Sequence, residues 1–216
     1  MNPERFARLR SALQRRQPDL TLLMDGVNKS HNFSAILRNC DAVGVLEAHV
    51  VPPPRGLAIH FESSAGTKKW VSVRRHETVR AAASQLKEAG FTLLAAQLSP
   101  ASIDYRDVDY TIPTAIVMGA ELDGVSQEGL RLADEHVKID MVGMAHSLNV
   151  SVATSLLLFE AKRQRDAAGM YEETRLSTEA FRNRLFEWAY PSIAILRQRA
   201  GRPYPKLSDD GEIVRE

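Results

Sequence analysis

Polar side chains of the kinds that bind ligands concentrate in three short segments of the sequence. In the first segment, residues 28–40, His31, Ser34 and Arg38 recur at helical spacing opposite an apolar face. A helix N-terminus with an arginine further along the same face can bind a phosphate group. The same spacing also fits an ordinary solvated face, on which Arg38 would pair with Asp41.

The second and third segments combine polar residues with apolar surroundings in the same way. In residues 118–126, glycines flank an acidic residue, which indicates backbone that a ligand approaches closely. The alternative is an acidic loop in which Ser126 caps the next helix. In residues 141–151, Ser147 and Asn149 both stand at the start of an apolar helix, although capping needs only one of them. Each segment adjoins a predicted strand, and open α/β sheets bind ligands at the carboxyl ends of their strands.

Several other chemistries are excluded by the sequence. It contains no G-x-G-x-x-G after a predicted strand, no G-x-x-x-x-G-K-[ST] and no G-x-S-x-G, which argues against a dinucleotide fold, a P-loop and a nucleophile elbow. The histidines do not pair at metal-ligand spacing and Cys40 is the only cysteine, so we predict no metal site and no disulfide. Without an apolar run of about 18 residues or a secretory signal, the chain is expected in the cytoplasm, away from any membrane.

Hydrophobic periodicity divides the chain into three regions. A basic amphipathic helix occupies residues 1–19, strands alternate with helices in 20–166, and a helical extension follows in 167–216. Several strands are apolar throughout, which predicts an α/β domain with a parallel sheet sandwiched by helices. The predicted strands span 20–24, 48–51, 71–73, 91–96, 115–118 and 137–141, and the helices span 4–16, 30–43, 78–89, 127–133, 148–165 and 178–200, the last interrupted by Pro191.

Charge is distributed unevenly, although the net charge is only +1. Residues 1–20 carry five arginines against two acids, and residues 162–206 carry ten basic residues against five acids. A catalytic domain between two ends that bind a polyanion would show this distribution. Ordinary solvated amphipathic helices would show it as well.

The three polar segments, taken in order, resemble a known family. They read His31-Asn32-x-Ser34-Ala35-x-x-Arg38, Gly119-x-Glu121-x-x-Gly124-Val125-Ser126 and Ser147-Leu148-Asn149-Val150-Ser151-Val152-Ala153. These are similar to the three motifs of the SPOUT-class RNA 2′-O-methyltransferases. Residues 16–21 and 159–165 resemble, more narrowly, the tRNA guanosine-18 2′-O-methyltransferases (the TrmH group). The likeness covers roughly residues 5–175.

Three positions depart from the family pattern. Ala120 stands where many relatives have Asn, Asp140 replaces a usual Pro, and His146 replaces a usual Gln. Asp140 lies beside the expected cofactor loop. We expect these departures to change the stiffness of the loops rather than to abolish the function.

The resemblance implies a fold and a cofactor. The fold would contain a deep C-terminal trefoil knot, which general topology rules alone would argue against. S-adenosylmethionine would lie in the knot, and a second copy of the chain would complete the site as a homodimer. The residues expected to bind the cofactor are Ala96, Gln97, Leu98, Gly119, Ala120, Glu121, Ile139, Met141, Ser147, Leu148 and Asn149.

The resemblance also implies roles in catalysis. Arg38 matches the essential arginine of the group, and a guanidinium, which keeps its proton near neutral pH, is a poor base. We therefore expect Arg38 to orient the adjacent phosphate, although a desolvated Arg38 acting as the base is the alternative. Asn32 would orient Arg38 or the ribose, and Glu121, Ser147 and Asn149 would hold the site together.

The expected substrate is tRNA, methylated on the ribose of guanosine 18 in the D loop. Relatives that act on ribosomal RNA often carry a separate N-terminal RNA-binding domain, whereas this chain has only a short basic helix. Methylation of ribosomal RNA remains an alternative, as does a non-catalytic RNA-binding assembly factor on the same fold. The residues expected to contact RNA are Arg5, Arg8, Arg16, His31, Lys162, Arg163 and Arg165.

Overall fold

The computed structural model describes residues 1–53 and 69–214 and divides the chain into two compact units. The larger unit is Pro18–Ala168, and the smaller joins Met1–Gln17 with Gly169–Glu216. None of the helices in these described ranges is long and apolar enough to cross a membrane. In chain order the elements are α1 Pro3–Gln14, β1 Leu20–Asp25, α2 Ser30–Ala42, β2 Glu47–Val51, β3 Ser72–Arg75, α3 Val79–Glu88, β4 Thr92–Ala96, β5 Ile103–Asp104, β6 Thr114–Gly119, α4 Gln127–Leu132, β7 Glu135–Lys138, α5 Val150–Ala167, α6 Thr178–Ala189 and α7 Pro191–Arg199.

Within the described residues, the larger unit is built on a seven-stranded sheet in the order β3-β2-β1-β6-β4-β7-β5, with every pairing parallel. The central strands β1 and β6 are buried along their whole length and pair in register from Leu20–Thr114 to Asp25–Gly119. Continuous apolar runs of this kind require helices on both faces of the sheet. The predicted parallel α/β fold is confirmed, whereas the trefoil knot stays a prediction.

Alternate side chains of β1 enter two separate hydrophobic clusters. Leu22 belongs to a cluster that includes Phe33 from α2 and Leu157 from α5. Leu23 belongs to the other cluster, with Leu86 from α3. Removing a fully buried side chain such as Phe33 would cost roughly 3–5 kcal/mol of unfolding free energy. Packing on both faces therefore holds fixed the carboxyl ends of the central strands.

The structure corrects several predicted boundaries. β7 spans Glu135–Lys138 rather than 137–141, because the chain leaves the sheet before Ile139. The two-residue β5 was missed, since a strand so short leaves no periodic pattern. α5 begins at Val150, and the Asn149 side chain caps it by accepting a hydrogen bond from the Ser151 amide.

The smaller unit brings together the two ends of the chain. α1 packs against α6 and buries Phe6, Leu9 and Leu13. Pro191 begins α7 immediately after Tyr190, because proline fits the first turn of a helix but interrupts a helix interior. The Tyr190 hydroxyl donates to the Gly211 carbonyl at 2.7 Å, which ties the C-terminal segment to the helices.

A buried pair of imidazoles lies at one edge of the sheet. His49 Nδ1 and His76 Nε2 are 2.8 Å apart, and the two rings are stacked. Burial, with contributions from His76 and Arg74, lowers the pKa of His49 to about 4. Burial and the charge of Arg74 also lower the pKa of His76. Both rings are therefore neutral near pH 7, and one donates its N–H to the other.

Candidate functional site

A cavity of about 510 Å³ opens at the carboxyl edge of the sheet. This volume lies within the usual range for small-molecule sites, about 300–1,000 Å³. Loops that follow β4, β6 and β7 surround it together with the start of α5. Its lining consists of Lys29, Ala96, Gln97, Leu98, Met118, Gly119, Ala120, Glu121, Leu122, Asp123, Gly124, Val137, Lys138, Ile139, Met141, His146, Ser147, Leu148, Asn149, Val150, Ala153 and Leu157.

The loop after β6 is folded tightly on itself. Ala120 and Gly124 exchange two backbone hydrogen bonds, each 2.9 Å long. A Cβ atom added to Gly119 would lie 1.9 Å from the Gly124 carbonyl carbon, so position 119 has no room for a side chain. Gly124 has φ +69°, a conformation that glycine adopts without strain. These requirements explain the glycines in the second segment, and the resulting loop holds Glu121 at its tip.

The Glu121 carboxylate joins this loop to the start of α2. Its Oε1 accepts from the Asn32 side-chain amide at 2.6 Å and from the Lys29 backbone N–H at 3.2 Å. Its Oε2 accepts from the Asn28 backbone N–H at 3.2 Å. Burial alone would raise the pKa of Glu121, but hydrogen bonds from Asn32 and from backbone amides outweigh it and lower the pKa. Glu121 is therefore ionised near neutral pH and satisfies amides that precede the helix.

Asn32 and Asn149 extend this network to the third segment. Asn149 Nδ2 donates to Asn32 Oδ1 at 3.1 Å, and Asn32 is almost completely buried. Asn149 Oδ1 accepts from the Ser151 amide at 2.8 Å and from the Ser151 hydroxyl at 2.7 Å. Asn39 on α2 donates to the Ser151 carbonyl at 2.8 Å. All three polar segments are thus connected by hydrogen bonds across more than 110 residues of sequence.

The segment 139–148 has backbone groups that are available to a ligand. Within the described residues, no hydrogen bond joins the backbone of this segment to another part of the chain. Val142 and Met144 are 100% and 95% exposed, while Ile139, Met141 and Leu148 line the cavity. Apolar walls with unpaired amides and carbonyls suit a heterocycle that carries hydrogen-bonding edges.

All eleven residues predicted to bind the cofactor line this cavity. Of the predicted catalytic residues, Glu121, Ser147 and Asn149 also line it, and Asn32 is bonded to two of these. Arg38 lies on α2 with an exposed side chain and is not part of the lining.

Sequence reasoning missed several lining residues. Lys29 lies in the first segment, two residues before its motif, and Asp123 lies inside the second motif, so both positions could have indicated a place in the lining. His146 lines the cavity although it was assigned no role. Val137 and Leu157 come from core elements, where no sequence pattern separates a cavity wall from ordinary packing.

The residues predicted to contact RNA fall into three groups, which are exposed, paired with carboxylates, and buried. Arg5, Arg8 and His31 have exposed side chains. Lys162 and Arg163, near the end of α5, pair with carboxylates of the same helix at 3.3 and 2.7 Å. Such partly exposed pairs contribute little to stability, so a phosphate can replace the carboxylate at small cost.

The prediction is wrong for Arg165 and Arg16, because both side chains are buried. Arg165 is 0% exposed and donates to Asp19 Oδ1 at 2.6 Å and to the Tyr110 carbonyl at 2.8 Å. The Arg16 guanidinium lies over the Trp188 ring, 5.1 Å from its centroid, and is 3% exposed. These two arginines stabilise their own units rather than present a charge to solvent.

The fold and the site together define an α/β protein of the SPOUT class, with a parallel sheet and a ligand cavity framed by loops at its carboxyl edge. Residues 19–159 match the SpoU rRNA methylase family, and residues 163–216 match the C-terminal region described for SpoU rRNA methylases. The chain belongs to the SpoU rRNA methylase family. The membership predicted from the three motifs is confirmed.

Individual relatives resemble the chain over nearly all of its length. It is 49% identical over 215 residues to the tRNA (guanosine(18)-2′-O)-methyltransferase of Escherichia coli K12, covering 99% of this chain and 94% of that protein. The crystal structure of the Aquifex aeolicus TrmH/SpoU tRNA modifying enzyme superposes with a TM-score of 0.81 at 43% identity, covering 88% of this chain and 97% of the other. An AdoMet-bound rRNA methyltransferase from Sinorhizobium meliloti superposes with a TM-score of 0.61 at 28% identity, covering 72% of this chain and 59% of the other.

Proposed function

We propose that this protein transfers a methyl group from S-adenosylmethionine to the ribose 2′-hydroxyl of guanosine 18 in the D loop of tRNA. The Escherichia coli relative is named for this reaction and aligns with 99% of the chain. The observation that carries the proposal is the hydrogen-bonded network of Glu121, Asn32 and Asn149, which assembles the cavity from the three motif segments. We expect the protein to act in the cytoplasm, where tRNA is modified.

The cavity fits the proposed cofactor. Leu98, Met141 and Leu148 provide apolar walls for an adenine ring. The unpaired backbone of 139–148 provides amides and carbonyls for the edges of the adenine and the hydroxyls of the ribose. When bound, S-adenosylmethionine supplies the activated methyl group on its sulfonium sulfur.

The protein's own residues must then position the substrate hydroxyl and allow its proton to leave. Transfer forms an oxygen–carbon bond, and the hydroxyl proton departs as that bond forms. Arg38 is exposed on α2, the helix whose start is bonded to the cavity loop through Glu121. This placement favours a role in binding the neighbouring phosphate, because arginine side chains in general keep their proton and cannot accept another. The proton would pass to that phosphate or to water.

Positioning accounts for much of the rate that such a site can provide. Asn32 is buried and bonded on both sides, so its position is fixed before substrate arrives. Asn149 caps α5 while contacting Asn32, so the same residue orients the third segment. The cavity is therefore preorganised by its own hydrogen bonds rather than by the ligand.

A second copy of the chain is proposed to complete the enzyme. Val152, Leu156 and Phe159 recur at helical spacing on α5, and each is more than one third exposed. An exposed apolar stripe beside the cavity is the kind of surface that homodimers bury. We therefore expect α5 to pack against a partner chain.

Ribosomal RNA is the second candidate substrate, because the family description and the Sinorhizobium meliloti relative both name rRNA. The Escherichia coli relative favours tRNA, since it is 49% identical over 99% of this chain and its name specifies tRNA. A non-catalytic assembly factor would not require the cavity and its network to persist intact. The third possibility is therefore the weakest.

The test is transfer of radiolabelled methyl groups to an unmodified tRNA transcript, with the labelled nucleotide mapped. Ribosomal RNA and a tRNA carrying adenosine at position 18 serve as competing substrates. We expect label at guanosine 18 and background levels in both competitors. Label in ribosomal RNA alone would transfer the proposal to that substrate, and cofactor binding without any label would support the assembly factor.

A further inference from the structure

A buried carboxylate outside the three motifs contacts the cavity loop. Asp25 is the last residue of β1 and is 7% exposed. Its Oδ2 accepts a hydrogen bond from the Ser126 backbone N–H at 2.9 Å. Within the described part of the chain, no lysine or arginine pairs with this carboxylate. Burying a carboxylate costs free energy unless hydrogen bonds or ion pairs compensate it, and the Ser126 N–H is such a hydrogen bond.

Asp25 is connected to both ends of the loop that lines the cavity. In the register of β1 and β6, Asp25 is opposite Gly119, where the loop begins. Its side chain binds Ser126, where the loop ends and α4 starts. Between these two points lie the Ala120–Gly124 hydrogen bonds and the carboxylate of Glu121. One residue thus fixes the entry and the exit of a loop of eight residues.

The backbone of α4 is shaped to accept this carboxylate. A Cβ atom added to Gly129 would lie 2.8 Å from Asp25 Oδ2 and 2.8 Å from Val125 Cγ1. Position 129 therefore has no space for a side chain while Asp25 holds its present position. Ser126 Oγ accepts from the Gly129 amide at 3.0 Å, so capping of α4 does not need Asp25. The carboxylate serves the loop rather than the helix terminus.

We propose that Asp25 is a positioning residue for the cofactor cavity, which acts by holding the loop 119–126 in the shape that binds S-adenosylmethionine. The inference rests on the proposed function. Without the carboxylate the Ser126 amide loses its acceptor, and the loop gains conformations in which Gly119–Glu121 no longer face the cavity. Asp25 would influence cofactor binding only through the loop, because Asp25 itself is not among the residues that line the cavity.

The test measures the affinity for S-adenosylmethionine by calorimetry in the wild type and in three variants. Asp25→Ala removes the acceptor and is expected to weaken binding at least tenfold. Asp25→Asn keeps an acceptor oxygen of the same reach and is expected within threefold of the wild type. The matched control is Thr21→Val on the same strand, which deletes a 2.7 Å hydrogen bond to the Glu47 carbonyl at the end of β1 away from the cavity. It is expected to bind the cofactor within twofold of the wild type.

A general loss of stability would weaken cofactor binding in Thr21→Val as well as in Asp25→Ala. If Thr21→Val weakens cofactor binding as much as Asp25→Ala, or if Asp25→Ala binds normally, the proposal is overturned. If Asp25→Ala does not fold, Gly129→Ala takes its place, because its methyl group crowds the carboxylate from the other side. A folded Gly129→Ala protein with unchanged affinity would equally overturn the proposal. A wild type that does not bind S-adenosylmethionine would instead refute the proposed function.

The kinetic readout separates positioning from a structural role. Asp25→Ala should raise the KM for S-adenosylmethionine in proportion to its weakened binding and leave the KM for tRNA within twofold. Asp25→Asn is expected to restore the KM for S-adenosylmethionine. An increase in the KM for tRNA alone would contradict a role in the cofactor cavity.

Discussion

Replacing Glu121 by Gln tests whether the charge of this residue, rather than its shape, assembles the cavity. The carboxylate accepts three N–H groups, two at Oε1 and one at Oε2. A glutamine that keeps its oxygen near Asn32 and Lys29 directs its NH₂ group at the Asn28 N–H, so that two donors face each other. One charge-assisted bond is lost and the remaining two become neutral.

The expected magnitude follows from these contacts. A hydrogen bond to a charged group contributes about 1.5–3 kcal/mol, and the half-buried position of Glu121 favours the lower part of this range. A loss of about 1.5–2 kcal/mol corresponds to roughly a 10- to 30-fold reduction in an equilibrium or rate constant. We therefore expect Glu121→Gln to reduce kcat/KM for tRNA methylation, and the affinity for S-adenosylmethionine, by roughly this factor.

The assay compares the initial rates and calorimetric affinities of Glu121→Gln with those of a control variant, Glu128→Gln. Glu128 on α4 pairs with Arg80 and does not line the cavity. Its side chain is one third exposed, so the neutral variant is expected within twofold of the wild type. A Glu121→Gln protein that also stays within twofold in both measurements would refute the role assigned to the carboxylate.

Three further predictions concern stability and RNA binding. The pKa of His49 is lowered from 6.5 to about 4, so its contribution to stability is present above pH 6.5 and is lost as the pH falls toward 4. Urea unfolding should show a loss on the order of 3 kcal/mol in the free energy of unfolding over this range. A His49→Gln protein with an equally steep acid dependence would contradict this origin. Arg165→Met should lower the free energy of unfolding by about 3–5 kcal/mol, because it removes the buried guanidinium that binds the partly buried Asp19 carboxylate and the Tyr110 carbonyl. A loss below about 1 kcal/mol would show that the contacts contribute little. The Arg5→Ala/Arg8→Ala protein should bind tRNA with a salt slope shallower by about 0.7–0.9 per lost phosphate contact, while an unchanged slope would remove both arginines from the interface.

The parallel sheet was predictable because its central strands are apolar along their whole length. β1 and β6 are buried at every position, and runs of this kind admit few alternatives. The cavity lining was predictable only through the resemblance, since no periodicity relates Asn32 to Asn149 across 117 residues. Local pattern and family likeness therefore contributed separate parts of the prediction.

Other features depend on packing that the sequence does not display. Arg163 and Arg165 are two residues apart near the end of a basic helix, yet one is two thirds exposed and the other is fully buried. The difference arises from Asp19, which lies 146 residues away. Asp25 likewise belongs to no motif, and its role becomes visible only when Ser126 is placed beside it.

The most direct test of the proposed reaction uses a tRNA in which guanosine 18 is replaced by 2′-deoxyguanosine. The base, the phosphates and the fold of the tRNA are retained, and only the hydroxyl that should accept the methyl group is removed. We predict labelling of the ribose-containing tRNA at position 18 and none of the deoxy tRNA, although the deoxy tRNA should still compete for binding. Undiminished labelling of the deoxy tRNA would contradict methyl transfer to the 2′-oxygen.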